Sequence, residues 1–144
     1  MLAPILFAAL FANPASAGRA LPSDASVTPS ATDAALKALD WEAVGKETTT
    51  LLADLLRVPS INPPGSETPA VEFLAARLLA EGIESKIVEF APGRGSLIAR
   101  IPGNGTEKPL CLLSHVDVVP VEKERWSVDP FGGEIKDGFL WGRG

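Results

Sequence analysis

Ser114-His115-Val116-Asp117 is the stretch whose residue types and spacing could do chemistry. A histidine and an aspartate two residues apart share one face of an extended chain. In that arrangement the carboxylate accepts one ring N–H, fixes the tautomer and leaves the other nitrogen for a metal. The spacing alone is a weak signal. A structural histidine, hydrogen-bonded at a strand end, is the commoner occupant of such a position. His115 is the only histidine among 144 residues, and Cys111 is the only cysteine. No second histidine or cysteine can therefore join His115 as a soft or imidazole ligand. No group of Asp and Glu has recognisable ligand spacing either.

The elements that must position this stretch can be read on either side of it. Leu110 to Val116 reads as a strand, and Leu110-Cys111-Leu112-Leu113 is apolar on both faces. That composition predicts a central strand covered on both sides, with Cys111 a buried, inert thiol. His115 and Asp117 then lie at its carboxyl end, where open α/β sheets bind ligands. Upstream, a helix is predicted from about Asp40 to Arg57. Trp41, Val44, Leu51, Leu52, Leu55 and Leu56 form its apolar stripe, Asp40 its cap, and Pro59 its stop. A second helix starts with Thr68 as cap and Pro69 in the first turn, and ends at Gly82. Val71, Leu74, Ala75, Leu78 and Leu79 form its apolar face. Ile83 to Phe90 and Ser96 to Ile101 read as strands, with Gly103-Asn104-Gly105 a turn signal after them. Phe131 to Ile135 and Phe139 to Trp141 read as a short hairpin. Helices followed by strands, one of them fully buried, predict an α/β or α+β layered domain.

The net charge is −5, with 46% hydrophobic and 22% charged residues. This is a globular composition, and an acidic chain without a Lys/Arg run argues against nucleic acid or an anionic membrane as partner. Residues 1–17 read as a signal peptide: Leu2 to Ala12 is too short an apolar run to span a bilayer, and Ala15-Ser16-Ala17 is an A-x-A cleavage pattern. No Lys or Arg precedes that run. Cleavage after Ala17 implies a secreted or periplasmic protein without a stable membrane anchor. Residues 18–31, rich in Ser, Pro, Ala and Thr, read as a flexible linker, and 32–144 as the folded domain.

Several ordered pieces raise the specificity of the reading. His115-Val116-Asp117-Val118-Val119-Pro120, Trp126 with Asp129-Pro130-Phe131, Asp137-Gly138 and Trp141-Gly142-Arg143-Gly144 together resemble the first metal-binding segment of the M20 metallopeptidase family. Val58-Pro59-Ser60 with Asn62-Pro63-Pro64-Gly65, and Leu97 to Gly103, are similar to the same family, so the resemblance runs from about Trp41 to Gly144. It implies the N-terminal part of a three-layer αβα zinc-exopeptidase domain with a mixed sheet. It implies that His115 is a ligand of one zinc in a two-zinc site, and that Asp117 is the catalytic carboxylate orienting it. Cobalt or manganese also suits such a site. In the family a bridging Asp, a Glu-Glu pair, a further carboxylate and a distal His complete the site. None of these falls within the sequence, which therefore reads as the first piece of a longer enzyme. The implied reaction is hydrolysis of a peptide or N-acyl amino acid by metal-activated water. A homodimer is compatible with the complete protein. The competing expectation is a non-catalytic truncated product or binding domain that retains the family's shell.

Other features carry less. Arg143 fits a carboxylate-binding residue, a turn residue or an ion-pair partner equally well. Trp126 and Phe131 read as loop anchors more readily than as cleft walls, and no substrate-binding residue is assigned. Gly93-Arg94-Gly95-Ser96-Leu97 lacks the closing glycine of a nucleophile elbow. Gly103-Asn104-Gly105-Thr106 lacks the continuation of a phosphate loop.

Overall fold

A computed structural model describes residues 31–105 and 108–144. The predicted leader, residues 1–17, and all but the last residue of the predicted linker lie outside the described residues. The first helix, α1, spans Ala31–Lys37. It had no counterpart among the predicted elements. Its ATDAALK sequence is rich in the helix formers Ala, Leu and Lys but has no long apolar stripe.

α2 spans Trp41–Leu56, and α3 spans Thr68–Ala80. Asp40 caps α2 as expected, its side chain accepting from the backbone N–H groups of Glu42 and Ala43. α3 begins differently. Glu67 occupies the position before it without a side-chain capping bond, while Thr68 donates its hydroxyl to Glu89 Oε1 at 2.9 Å. Gly82, with φ +74°, closes the far end. The N–H groups of Gly82 and Ile83 return to the carbonyls of Leu79 and Leu78.

β1 (Ser85–Ala91) and β2 (Arg94–Ala99) form an antiparallel hairpin turned by Pro92 and Gly93. Proline followed by a glycine with φ +78° meets the requirements of a type II turn. Ile87 lies opposite Leu97, and Glu89 opposite Gly95, on the face toward α3. A Cβ at Gly95 would fall 2.9 Å from Thr68 Oγ1 and 3.1 Å from Val71 Cγ2, so glycine here lets strand and helix approach. The opposite face carries Val88, Phe90 and Ile98 in the open. A 3-10 turn covers Lys123–Arg125. β3 (Glu134–Lys136) and β4 (Phe139–Trp141) form a second hairpin. Its Asp137-Gly138 loop has φ +52° and +79°, the positive values that a tight two-residue hairpin requires.

The buried apolar centre is small: Ala53 and Leu56 of α2 with Ala70 and Val71 of α3. Trp41 and Leu52, placed on the inward stripe of α2 by periodicity, are exposed, and so is Leu79 of α3. The architecture is α/β. Two antiparallel hairpins accompany the helices, and a single parallel bridge joins Ile61 to Val118.

The largest departure from expectation concerns residues 110–116. They pair with no strand among the described residues, and Leu113 is 95% exposed. Cys111 is exposed as well, not buried. An apolar run records a capacity to be covered on both faces, but coverage needs flanking elements. β2 pairs with β1 instead, and among the described residues Gly103-Asn104-Gly105 closes no hairpin with the 110–116 run. No described helix is long and apolar enough to cross a membrane.

Candidate functional site

The stretch after Leu113 is held by contact with the loop between α2 and α3. Val118 N–H donates to the Ser60 carbonyl at 3.0 Å, and Asn62 N–H donates to the Val118 carbonyl at 2.8 Å. The Ser60 hydroxyl donates to the Val116 carbonyl. This short strap, Ser60–Asn62 against Val116–Val118, fixes the backbone on both sides of Asp117. Ser60 is buried, so its hydroxyl is satisfied within the fold. The loop is held in turn at its far end. Glu67 takes a two-pronged bond from Arg94, Nε to Oε2 at 3.1 Å and Nη2 to Oε1 at 2.8 Å. Gly65 packs directly under that guanidinium, where a Cβ would lie 2.6 Å from Arg94 Nε.

His115 and Asp117 come together as their spacing predicts. His115 Nδ1 lies 3.1 Å from Asp117 Oδ1 and 3.0 Å from the Asp117 carbonyl oxygen. Both neighbours are acceptors, so Nδ1 carries the proton and Nε2 keeps its lone pair in the neutral ring. The His115 side chain is 85% exposed and that of Asp117 33%. Asp117 Oδ2 accepts from Asn62 Nδ2 at 2.9 Å. The Asn62 bond is the leading cause holding the Asp117 carboxyl below its ordinary value. Partial desolvation opposes it, and the His115 contact supports it.

The surrounding surface is apolar. A cavity of about 460 Å³ is lined by Leu55, Leu56, Val58, Leu74 and Phe131, with His115, Asp117 and Arg143 as its ionisable groups. Phe131 is placed by a local turn in which Asp129 Oδ1 accepts its N–H at 3.0 Å. Arg57, at the end of α2, donates Nε to the Gly132 carbonyl at 3.0 Å and so pins that turn. The Arg143 backbone N–H reaches the Pro130 carbonyl, and its guanidinium stacks 5.1 Å from the Trp126 ring centroid. Trp126 thus serves as an anchor for Arg143, and Arg143 forms no ion pair with a described acid.

Over 97 residues the chain is 41% identical to aminoacylase-1 of Sus scrofa, a match covering 66% of this chain and 24% of that protein. It is 44% identical over 94 residues to succinyl-diaminopimelate desuccinylase of Wolinella succinogenes, with 65% and 24% covered. The Cereibacter sphaeroides desuccinylase is 42% identical over 95 residues, again with 65% and 24% covered. Both kinds of relative are M20 metallopeptidases, and over that stretch the chain is similar to them. No family model matches it. The chain spans about a quarter of the length of the curated M20 relatives it matches.

The residues present suit a metal in part. His115 Nε2 is a single, accessible imidazole donor whose other nitrogen is fixed by a carboxylate, the usual partner of a metal-bound histidine. Among the described residues no group of three or more His, Cys, Asp or Glu could hold an ion. The fit is therefore to one ligand and its orienting carboxylate, not to a whole coordination sphere. Residue types in the 114–120 stretch pointed to His115 and Asp117. They did not point to Asn62 or Ser60, which lie 55 and 56 positions from their partners. The only signal for them was that Val58 to Gly65 resembles M20 sequences.

Proposed function

We propose that the chain supplies one zinc ligand, His115, and its catalytic partner carboxylate, Asp117, to a two-zinc amide hydrolase of M20 type. The complete protein would act on a peptide or N-acyl amino acid and release a carboxylic acid and an amine. The observation that carries the reading is the His115–Asp117 contact, in which the carboxylate accepts from Nδ1–H and so leaves the lone pair of Nε2 on an exposed ring for a metal. A bound divalent ion supplies Lewis acidity and an acidified water. Asp117 keeps the ring in the donor tautomer and neutralises charge that the ring gains. The apolar walls around it limit water on that side. Cobalt or manganese would serve the same donor.

The names of the relatives support amide hydrolysis as the reaction class. In a complete-length protein, His115→Ala should abolish hydrolysis of N-acyl amino acids and reduce bound zinc. Full activity with unchanged zinc content would overturn the assignment. The 144-residue chain by itself should hold zinc weakly and turn over no dipeptide or N-acyl amino acid. Turnover by the purified chain would contradict that. We further propose export through residues 1–17, with cleavage after Ala17. A mature N-terminus other than Gly18 would refute this.

A further inference from the structure

We propose that Asn62 is a positioning residue for the His115–Asp117 pair: it fixes the Asp117 carboxylate from behind and thereby selects the histidine tautomer that presents Nε2. The inference rests on the reading of His115 as a donor, and adds to it a residue outside the His-x-Asp segment.

The geometry assigns each atom its part. A carboxylate has two oxygens and only accepts hydrogen bonds. Asp117 Oδ1 faces His115 Nδ1 at 3.1 Å, and Oδ2 faces Asn62 Nδ2 at 2.9 Å. The Asn62 amide must present its NH2 edge there, because its oxygen would meet an acceptor. The carboxylate is thus gripped from both sides, and rotation about its terminal bond would break both contacts. Asn62 is itself well placed to hold. Its own N–H is bound to the Val118 carbonyl, one residue beyond Asp117. The Gly65 N–H closes back on the Ile61 carbonyl at 3.1 Å, which ties the loop beside Asn62. Without the Asn62 side chain, Asp117 is free to swing toward water. His115 Nδ1 then keeps only the neutral Asp117 carbonyl oxygen, at 3.0 Å, a weaker hold on its proton than the carboxylate adds.

The test uses the whole chain and the 15N signals of its imidazole ring. His115 is the only histidine, so the two ring nitrogens are read without ambiguity. At a pH well above the usual imidazole range, the unmodified protein should show the Nδ1–H form as the major tautomer. In Asn62→Asp, which keeps the shape but replaces the donor by a like charge, the share of Nδ1–H should fall, because only the Asp117 carbonyl still faces Nδ1. Asn62→Ala should act in the same direction. Val118 amide protection, which reports the backbone strap, should persist in Asn62→Asp, separating a lost side-chain bond from a lost fold. An unchanged Nδ1–H share in a variant with an intact strap overturns the proposal. A second reading needs no variant: one Asn62 side-chain N–H should exchange slowly in the unmodified protein, and exchange at the rate of a free amide overturns it. These readouts stand apart from catalysis. Loss of the Asn62 effect leaves the hydrolase reading to its own test, and an inactive complete enzyme leaves the tautomer measurement intact.

Discussion

Replacing Arg94 by methionine should destabilise the fold by about 2–3 kcal/mol, more than replacing its partner Glu67 by glutamine. The Glu67 side chain is 8% exposed, whereas Arg94 is 30% exposed. At about 3 Å, with an effective dielectric constant near 20, the two charges attract by roughly 5 kcal/mol before desolvation is counted. Desolvation offsets most of that, so the mutant cost depends on what is left behind. Arg94→Met strands a nearly buried carboxylate. Breaking a buried pair in this way costs roughly 3–5 kcal/mol, and the partial access of water to Arg94 places this case toward the lower end. The lost stacking over Phe90, 5.3 Å from its ring centroid, adds little because that ring is itself exposed. Glu67→Gln leaves a guanidinium that water can reach and an amide oxygen that still accepts one N–H, a loss of about 1 kcal/mol. It also removes a negative charge from the positive end of α3. Urea unfolding followed by far-ultraviolet circular dichroism, on both single variants and the double variant, measures the two costs and their coupling. Equal costs for the two single variants, or costs below about 0.5 kcal/mol, would refute the reasoning, because that is the range of an exposed pair.

Gly133→Ala should cost at least about 2 kcal/mol, since residue 133 has φ +55° and its new methyl would run into the Ala53 carbonyl. A thermal melt within a degree of the unmodified protein would contradict this. Cys111 should react with a thiol reagent in native buffer, one equivalent per chain, because it is exposed. A requirement for denaturant would show that the 110–116 run is covered. The Asp117 carboxyl, followed by carbon NMR, should titrate below the ordinary aspartate value of about 3.9. A depressed folded-state value stabilises the fold above the unfolded value, and this stabilisation is lost as the pH falls through the folded one. Asn62→Ala should move the midpoint upward, and an unmoved midpoint would mean that Asn62 is not the main cause.

The local parts of this fold were legible because short-range chemistry decides them. Asp40, Gly82 and the Asp137-Gly138 loop sit where capping and turn rules place them. Thr68 misled because its hydroxyl had a better partner in Glu89, across the space between α3 and the hairpin. The run from Leu110 misled for a different reason. Hydrophobicity states what a segment could bury and not which neighbour it will find, and β2 found β1. At the site, His115 and Asp117 are close in sequence and could be paired on paper. Asn62, Ser60 and the Glu67–Arg94 clasp depend on contacts that no spacing rule encodes.

The strap has a thermodynamic consequence. α3, β1 and β2 close over some thirty residues of chain, whereas Asn62 and Asp117 are 55 positions apart. Loop closure costs more chain entropy for the longer connection, though only logarithmically. Few buried contacts repay it, because the ring that it orients is open to solvent. Closure entropy therefore weighs more on the site than on the hairpin, and opening of the strap alone would leave the hairpin and helices formed. Any ion that prefers the ordered His115 then binds only the closed fraction. Its apparent Kd is weakened by that fraction, and its binding closes the strap in return.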